Sequence, residues 1–481
     1  MSLLRTQIGL VLLFLFAAGY VHQTPKNCPT PLSRLDLLHA LFVHGTLRID
    51  AYDNTPDKAT WEGHSYSDKA PGTTVLALPP FVAGALALQA AGVGLDTPEG
   101  WLVSSWVACF GSLTLLTAIG AAVLFAWLAH YVPPRSALIA TLAVFLGSAP
   151  LPYATMLFSH SLVVACVAIA LYAIYRYSQQ VAEVAPAAAS APEIPLFRSQ
   201  RWPLLAGFAC GWALASEYTA GLVVVAMLFW LILEQRRSLQ PWNSSLTPFF
   251  IGAIPPLLLI PLYSWLCFGN PFLLPYSVNQ SFPAMREGLY AIKWPDPETA
   301  WQLLLGPTRG LFFWTPFLAL ALVGYRELAH NHTRLFWLTY AVPLLQVVVI
   351  SGRVWDWQAG PTLGPRYLAP MLPLMALPCA LAVKRLPKTG LIIAGVSVVL
   401  TAFATFVNAS PSGNIHNPLT ELHWPALLKG SVQPNLGTAL GLPPVASLLL
   451  YLAVVLGGAA WLIRATPTVH PPPPTPDFRL S

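Results

Sequence analysis

The feature that most limits the fold of this chain is its series of continuous apolar stretches. About 20 helical residues cross the ~30 Å hydrocarbon layer of a bilayer, and thirteen stretches of roughly that length occur among the 481 residues. They are unbroken runs of Leu, Val, Ala and Phe rather than the alternating pattern of a membrane β-barrel. The stretches lie near residues 7–22, 73–94, 103–130, 136–151, 160–175, 203–217, 218–234, 247–267, 310–324, 335–351, 367–383, 389–407 and 443–463. The sequence therefore predicts an all-α polytopic membrane protein.

The few charged residues follow the same plan. They make up only 9% of the chain, against roughly 25% in an ordinary soluble protein. The net charge of +6 comes from Lys and Arg clustered beside the ends of the apolar stretches, which is the bias that sets membrane topology. This distribution predicts contact with membrane lipids and no nucleic-acid partner.

The basic clusters indicate how many of the stretches cross. If all thirteen crossed from a cytoplasmic N-terminus, Arg135 and Arg236 would lie outside, against the positive-inside bias. If 73–94 does not cross, these clusters all become cytoplasmic. Pro79 and Pro80 also make 73–94 a poor straight span. We therefore predict about 12 transmembrane helices plus a re-entrant or interfacial segment, with both termini in the cytoplasm.

This topology divides the chain into parts. A linker at 178–200 and the C-terminal tail are rich in Pro or Ala, which predicts flexible cytoplasmic segments. The long polar segments all fall on the outer face, so a functional site is expected there. The predicted parts are a transmembrane module at 1–383 with outer loops 23–72 and 268–309, C-terminal helices at 384–464 with outer loop 408–442, and a cytoplasmic tail at 465–481.

The first outer loop begins with the stretch SRLDLLHALFVHGTLRID. Leu35, Leu38 and Phe42 recur at helical spacing, and Gly45 is placed to end the helix. The pattern predicts a short amphipathic helix on the membrane surface. Such a helix would hold Asp36 near the outer lipid boundary.

Three basic residues stand at outer membrane boundaries, where positive charge is disfavoured. Lys69 lies in WEGHSYSDKAPGTT, Arg309 in LLGPTRGLFFWTP and Arg366 in WDWQAGPTLGPRYLAP. Together they could form a cationic cradle for a lipid phosphate or pyrophosphate. Contact with anionic lipid headgroups is the alternative, and Trp357 beside them is also typical of an interfacial aromatic anchor.

Two further polar residues interrupt apolar stretches. Glu217 separates GWALAS from YTAGLVVVAML, and His160 follows ATMLFS at the matching bend. An acid at this depth suggests a functional site. The alternatives are that Glu217 lies at a solvated loop end and that His160 is a structural residue. No metal-site spacing, phosphate-binding loop or nucleophile elbow is present, but the carboxylates of the first loop leave a divalent cation open as a ligand.

These motifs resemble those of the GT-C membrane glycosyltransferases, in the branch that contains the protein O-mannosyltransferases and the lipid A aminoarabinose transferase. The likeness rests on an Asp on the first-loop helix and on the pattern Gly-x-x-Tyr-x-x-Lys-x-Pro at 63–71. YSDKAPG at 66–72 and GPRYL at 364–368 are most similar to a bacterial subgroup. The acidic pair common in the family is reduced here to Asp36, and its Lys-Pro-Pro element becomes Lys-Ala-Pro. The likeness covers about the first 380 residues.

The resemblance implies an inverting transfer of a sugar from a polyprenyl-phosphate donor to a lipid, glycan or protein acceptor on the outer, periplasmic face of a bacterial inner membrane. Asp36 is the expected base, with Asp50, Asp57 and Asp68 as alternatives, and Lys69, Arg309 and Arg366 are the expected phosphate ligands. The expected sugar or acceptor contacts are His64, Tyr66, His160, Glu217, Trp357 and Tyr367. The alternative is a polyprenyl-lipid or glycolipid flippase without transferase activity. A transporter is expected to show repeated halves, which the sequence lacks.

Overall fold

The computed structural model describes residues 2–23, 28–184, 196–236, 243–287 and 291–469. Most of the predicted linker and tail therefore lies outside the described residues. The first part contains helices α1 to α8, at Leu3–Gly19, Pro29–His39, Gly72–Ala90, Pro98–Cys109, Leu115–Leu128, Pro134–Leu146, Pro150–Ala154 and Ser159–Val184. Helices α9 to α14 follow at Leu196–Ser216, Gly221–Gln235, Asn243–Leu257, Leu259–Phe268, Pro297–Leu304 and Leu311–Trp314. Helices α15 to α21 are Ala321–Asn331, Thr333–Ser351, Leu372–Arg385, Pro387–Asn408, Trp424–Leu428, Leu436–Ala439 and Pro444–Ala465.

The prediction of an all-α membrane protein is confirmed. Nine helices within the described residues are long and apolar enough to cross a bilayer. The β-structure of this part of the chain is one hairpin, in which β1 (Lys58–Trp61) pairs antiparallel with β2 (His64–Ser67). The count of 12 crossings stays a prediction.

Helix α1 gives the bundle two ends, an upper end near Gly19 and a lower end near Leu3. At the lower end, the hydroxyls of Thr6 and Thr466 lie 3.2 Å apart. The guanidinium of Arg135 donates to the carbonyl of Thr466 at 2.7 Å. These contacts place Arg135 at the end opposite to the first loop, as the positive-inside argument requires.

Helix α3 forms most of the segment 73–94 that is predicted to be re-entrant or interfacial. It is continuous through Pro79 and Pro80, and its length and composition alone would let it span a bilayer. It runs antiparallel beside α4 and the turn that follows it, since a Cβ at Gly84 would meet Val107 and one at Gly111 would meet Pro80. The chain enters it directly from the first loop and leaves it toward α4.

Two contacts place the second half of α4 beside the end of α1. The imidazole of His22 lies 2.8 Å from the Ser105 hydroxyl, and the Trp106 indole donates to the carbonyl of Gly19 at 3.3 Å. Asp96, in the turn before α4, lies close to Tyr52 of the first loop, whose pKa is raised to about 12 by burial and by this charge. These contacts agree with a segment 73–94 that returns to the side from which it came, which stays a prediction.

The predicted first-loop helix exists as α2, followed by a π-helical turn that ends at Gly45. Gly45 adopts φ +63°, a left-handed conformation in which glycine carries no steric cost. The expectation that α2 lies on the membrane surface is wrong, because its described residues from Thr30 to His39 are all buried. Phe81 of α3 and Trp101 of α4 pack against His39 and cover the helix.

The hairpin and a close helix contact fix the position of Lys69. Glu62 and Gly63 both have positive φ, as a tight two-residue hairpin turn requires. A Cβ at Gly72 would meet the Ala215 carbonyl oxygen at 2.8 Å, so only glycine allows α3 to start this close to the end of α9. The segment between strand and helix, which carries Lys69, is therefore held beside Glu217.

The two-ended bundle makes a labelling prediction. We expect single cysteines replacing His64 and Lys388 to react with a membrane-impermeant thiol reagent from opposite sides of sealed membranes. Lys388 is exposed and His64 is partly exposed at the turn of the hairpin, whereas the six native cysteines are buried. Labelling of both positions from one side would contradict the arrangement.

Candidate functional site

A cavity of about 460 Å³ lies at the upper end of the bundle. Charged groups from the first loop, from the bends after α7 and α9 and from the segment after α16 converge on it. Four of its lining residues are cationic, and three are carboxylates. The cations are Arg34, Lys69, Arg353 and Arg366, and the carboxylates are Asp57, Glu217 and Asp356.

Lys69 forms the centre of a buried ion cluster in the first loop. Its Nζ lies 2.7 Å from Asp57 Oδ2 and 3.1 Å from Asp68 Oδ1. Burial alone would lower the pKa of Lys69, but the two carboxylates raise it well above its usual range, so the ammonium stays charged. Burial raises the pKa of Asp68 to about 6 against the effect of Lys69. Asp68 stands behind the cavity wall, where Asn279 donates to it at 2.7 Å.

Asp57 occupies the cavity side of this cluster. The Thr30 hydroxyl donates to its Oδ2 at 2.9 Å, and the Ser33 hydroxyl donates to its backbone carbonyl at 2.6 Å. Both partners belong to the first turns of α2. The N-terminal half of that helix thus orients Asp57 and, through it, Lys69.

A second network joins α2 to the bends at 157–160 and 217. Arg34 donates to the Leu157 carbonyl at 2.8 Å and to the Ser159 hydroxyl at 3.3 Å. Ser159 donates to Glu217 at 2.8 Å, and His160 Nε2 lies 3.6 Å from the same carboxylate. Burial would raise the pKa of Glu217, but His160, Arg34 and Ser159 lower it to about 2. Glu217 is therefore an ionised acceptor at neutral pH and a weak base.

The third wall comes from the segment after α16. Arg353 donates to Asp356 at 3.0 Å, and the Tyr367 hydroxyl donates to the same oxygen at 2.8 Å. The Arg366 guanidinium lies 4.9 Å from the ring centroid of Phe158 and 5.2 Å from that of Tyr367. Among the ion pairs of the described residues, Arg366 has no carboxylate within 4.0 Å. Asp356 acts on this cation from beyond ion-pair distance, and aromatic faces hold it in place.

The remaining lining is apolar. Leu222 from the start of α10 and Val349 and Ile350 from the end of α16 contribute to one side of the cavity, together with Phe282 and Ile292 of the outer loop. Beyond the cavity, Val225 of α10 and Val348 of α16 are exposed on the outside of the bundle. A charged chamber thus adjoins an apolar wall that belongs to membrane-length helices.

The structure brings together six of the predicted site residues in one cavity. They are Asp57, Lys69, His160, Glu217, Arg366 and Tyr367. Asp36 does not line it, because Asp36 points away from Arg34 on α2 and accepts a hydrogen bond from Asn54 at 3.0 Å. Asp50 and His64 pair with each other at 2.9 Å on the exposed side of the hairpin. Tyr66 packs against Phe268 in a separate apolar cluster.

Arg309 and Trp357 also lie outside this cavity. The buried Arg309 guanidinium donates to four backbone carbonyls, those of Thr308, Gln358, Gly360 and Pro411, at 3.0 to 3.1 Å. Four of its five N–H donors are bound to backbone carbonyls, and it does not line the cavity, so it joins three chain segments. Trp357 lines a different, open cleft on the other side of the same segment.

Sequence reasoning missed several polar residues of the cavity, among them Arg34, Tyr276, Arg353 and Asp356. Arg353 and Asp356 stand just before the recognised Trp357 in GRVWDW, so the signal was present in an arginine and an acid at another outer boundary. Arg34 precedes Asp36 on α2, and only the packing of the helix shows which of the two faces the cavity. Tyr276, whose ring centroid lies 5.5 Å from Lys69 Nζ, carried no sequence signal.

The buried position of Asp36 predicts a stability effect instead of a catalytic one. Burial raises the pKa of Asp36 to about 7, although Asn54 and Lys58 lower it somewhat. Because the folded state then binds this proton more tightly than the unfolded chain, stability falls as pH rises from about 4 to about 7. We expect Asp36→Asn to be more stable than the wild type above pH 7 by on the order of 2–4 kcal/mol, with polyprenyl phosphate binding unchanged.

Thermal unfolding in detergent between pH 4.5 and 8 checks this expectation. Asp53→Asn is the control, since Asp53 is a fully exposed acid of the same loop. Identical pH profiles for Asp36→Asn and the wild type would contradict it.

Arg309 makes a second prediction about stability. Arg309→Met leaves four buried or half-buried carbonyls without their donor, and each lost hydrogen bond costs about 1 kcal/mol. We expect a loss of about 2–4 kcal/mol and a clearly lower melting temperature. Arg48→Met, at an exposed arginine of the first loop, is expected to melt like the wild type. An unchanged melting temperature for Arg309→Met would show that the hydrogen bonds from Arg309 to these carbonyls do not stabilise the fold.

No group of three or more His, Cys, Asp or Glu that could hold a metal ion occurs within the described residues. The carboxylates of the cavity are separated from one another by the cations with which they pair. The divalent cation left open by the sequence therefore gains no site from this geometry.

Comparison with known proteins finds likeness only among solved structures. No protein-family model and no curated protein matches the chain. The crystal structure of ArnT from Cupriavidus metallidurans bound to undecaprenyl phosphate is 13% identical and aligns over 95% of this chain and 75% of that chain, with a TM-score of 0.43. The apo form of the same protein gives 14% identity, 94% and 74% coverage and a TM-score of 0.44.

The Archaeoglobus fulgidus oligosaccharyltransferase, in complex with Zn and sulfate, is 13% identical over 84% of this chain and 53% of that chain, with a TM-score of 0.42. The chain is similar in layout to these membrane proteins.

Proposed function

We propose that this protein is an integral membrane glycosyltransferase that takes a sugar from a polyprenyl-phosphate donor and passes it to an acceptor at the upper face of the bundle. The proposal rests on the cavity and agrees with the motif resemblance. It places the upper face on the periplasmic side of a bacterial inner membrane.

The observation that carries the proposal is the state of the three arginines around the cavity. Arg34, Arg353 and Arg366 each have a buried Nε without a hydrogen-bond acceptor among the described residues. Unmade hydrogen bonds of buried charged donors are costly, and a phosphate supplies several oxygens that can accept them. No carboxylate of the described residues lies within ion-pair distance of Arg366, which makes it the principal phosphate ligand in this proposal.

The apolar wall supports a lipid-linked ligand. Leu222, Val349 and Ile350 continue downward into helices whose outer faces are exposed and apolar. A polyprenyl chain could lie along α10 and α16 while its phosphate reaches Arg366. A water-soluble sugar nucleotide would gain nothing from this wall.

The reaction that fits is a single displacement at the anomeric carbon. Asp57 takes the proton of the acceptor hydroxyl as the acceptor oxygen bonds to that carbon. The bond between the carbon and the phosphate oxygen breaks, and its electron pair stays on the phosphate. Arg366 stabilises that charge, and Lys69 contributes from beside Asp57. One displacement inverts the configuration of the sugar.

Glu217 and His160 are assigned to the sugar hydroxyls. Glu217 stays ionised, because its pKa is about 2, and can accept hydrogen bonds from them. Both ring nitrogens of the buried His160 lack a hydrogen-bond partner among the described residues, so His160 can offer one more polar contact. Tyr367 is held by Asp356 at the rim of the same space.

The one-sided position of the site favours a transferase over the flippase alternative. The charged groups of the cavity come from the upper ends of helices and from the upper loops, whereas transporters carry their sites near the bilayer midplane. A carrier that only moves the lipid would also have no use for a base next to a phosphate site.

Binding measurements on protein in lipid nanodiscs test the proposal. We expect tritiated undecaprenyl phosphate to bind saturably and the corresponding polyprenol to compete at least about tenfold more weakly, because it lacks the charge that Arg366 recognises. Sugar transfer is measured as the release of undecaprenyl phosphate from sugar-loaded donors. Equal binding of the phosphate and the alcohol would refute the phosphate site, and transbilayer movement of donor without release would favour the flippase.

A further inference from the structure

A second concave region of about 410 Å³ opens at the upper end of the bundle, beside the charged cavity. Its walls come from α13, from the segment 357–358 and from the loop at 413–416. It is distinct in chemistry from the cavity, whose lining includes four cations. Of the described residues that line this cleft, Glu298 is the single formally charged one.

The lining has the chemistry of a site for an uncharged saccharide. Trp357 is half-buried and offers an aromatic face on which the C–H side of a sugar ring can stack. Gln302, Gln358 and Asn414 line the cleft with amides, each of which can donate and accept hydrogen bonds from vicinal hydroxyls. Without a lysine or arginine in its wall, the cleft has nothing with which to balance a phosphate or a uronate.

The cleft is braced rather than formed by loose loops. Arg309 joins the backbones of Gln358 and Gly360 to that of Pro411. The Thr308 hydroxyl donates to the carbonyl of His416 at 2.7 Å. On α13, Gln302 donates to Glu298 at 2.8 Å. A binding site whose walls are fixed in this way loses less conformational entropy when it is filled.

One short segment separates the cleft from the cavity. Asp356, Ala359 and Gly360 line the cavity, whereas Trp357 and Gln358 line the cleft. Ala359 has φ +59° and Gly360 has φ +66°, and a left-handed alanine is a strained conformation that its surroundings must impose. This turn sends successive side chains to opposite sides, so a saccharide on Trp357 ends next to the place where the donor sugar would lie.

We propose that this cleft binds an uncharged saccharide portion of the acceptor and presents its terminal hydroxyl to the cavity. The role of the bound saccharide as the acceptor rests on the proposed function. The binding of a saccharide in the cleft is inferred from the residues of the cleft alone. It selects a glycan or glycolipid acceptor over a protein one.

An oligosaccharide array probed with the purified, labelled protein in nanodiscs tests the proposal. We expect the wild type to bind at least one uncharged oligosaccharide, and Trp357→Ala to bind it about tenfold more weakly, as for an aromatic residue at the centre of an interface. Trp294→Ala is the matched control, because Trp294 is 90% exposed on the outer loop that also carries α13 and is not among the described residues that line the cleft. Gln302→Ala on the opposite wall is expected to weaken binding as well.

Three results would overturn the proposal. The Trp294 variant could lose saccharide binding to the same extent as the Trp357 variant, both cleft variants could bind like the wild type, or the wild type could bind anionic glycans alone. The absence of any saccharide bound by a wild type that still melts cooperatively would also overturn it. Arg366→Gln separates the two proposals, since it is expected to lose undecaprenyl phosphate and to keep the saccharide. A wild type that binds saccharide but not undecaprenyl phosphate would refute the donor assignment and leave the cleft as a saccharide site.

Discussion

Replacing Arg366 by Gln is expected to weaken the binding of undecaprenyl phosphate by about tenfold to a hundredfold. A hydrogen bond to a charged group is worth about 1.5–3 kcal/mol, which corresponds to that range of affinity. The effect is large because no carboxylate of the described residues lies within ion-pair distance of this guanidinium. The rings of Phe158 and Tyr367 hold it in place, and the shorter glutamine does not have its reach.

The measurement is a saturation binding curve in nanodiscs at two salt concentrations. Arg48→Gln makes the same chemical change at an exposed arginine of the upper loops and is expected to bind like the wild type. Polyprenol should bind the Arg366 variant and the wild type equally. Equal loss of phosphate and alcohol binding would mean that the variant is damaged in its fold, and unchanged phosphate binding would remove Arg366 from the site.

Replacing Asp57 by Asn is expected to reduce sugar transfer by about a hundredfold to ten-thousandfold, the contribution of a positioned general base. Binding of undecaprenyl phosphate should be retained or tightened, because Lys69 loses the carboxylate at 2.7 Å and is freer to meet the phosphate. This combination of a lost rate with a kept affinity separates a catalytic role from a structural one.

The release of undecaprenyl phosphate from the donor that the wild type uses gives the transfer rate. Asp53→Asn, at an exposed acid four residues earlier in the loop, is the matched control. Asp356→Asn tests the carboxylate on the opposite wall. If Asp57→Asn transfers sugar at the full rate and Asp356→Asn does not, the general base is Asp356, on the other side of the cavity.

Much of the fold could be predicted from the sequence because the bilayer imposes it. Apolar stretches of membrane length and the distribution of arginines led to the helices and to the separation of Arg135 from the first loop. The same reasoning predicted that 73–94 returns to its starting side. It could not predict that α3 stays helical through Pro79 and Pro80 or that it covers α2, since both depend on tertiary contacts.

Part of the candidate site could also be predicted from the constraints that a bilayer imposes. Lys69 and Arg366 were recognisable, because a cation at an outer boundary is unfavourable unless something requires it. The choice between Asp36 and Asp57 depended on which face of α2 turns toward the cavity, and that is decided by the hairpin that Ser33 and Thr30 hold. Arg309 gave the same sequence signal as Arg366, yet its partners are backbone carbonyls that no local pattern reveals.

The most direct test is an experimental structure of the protein in nanodiscs with undecaprenyl phosphate. The account predicts phosphate density within hydrogen-bond distance of Arg366, with the polyprenyl chain descending along α10 and α16. Phosphate density elsewhere on the upper face, with the charged cavity left to solvent, would contradict it.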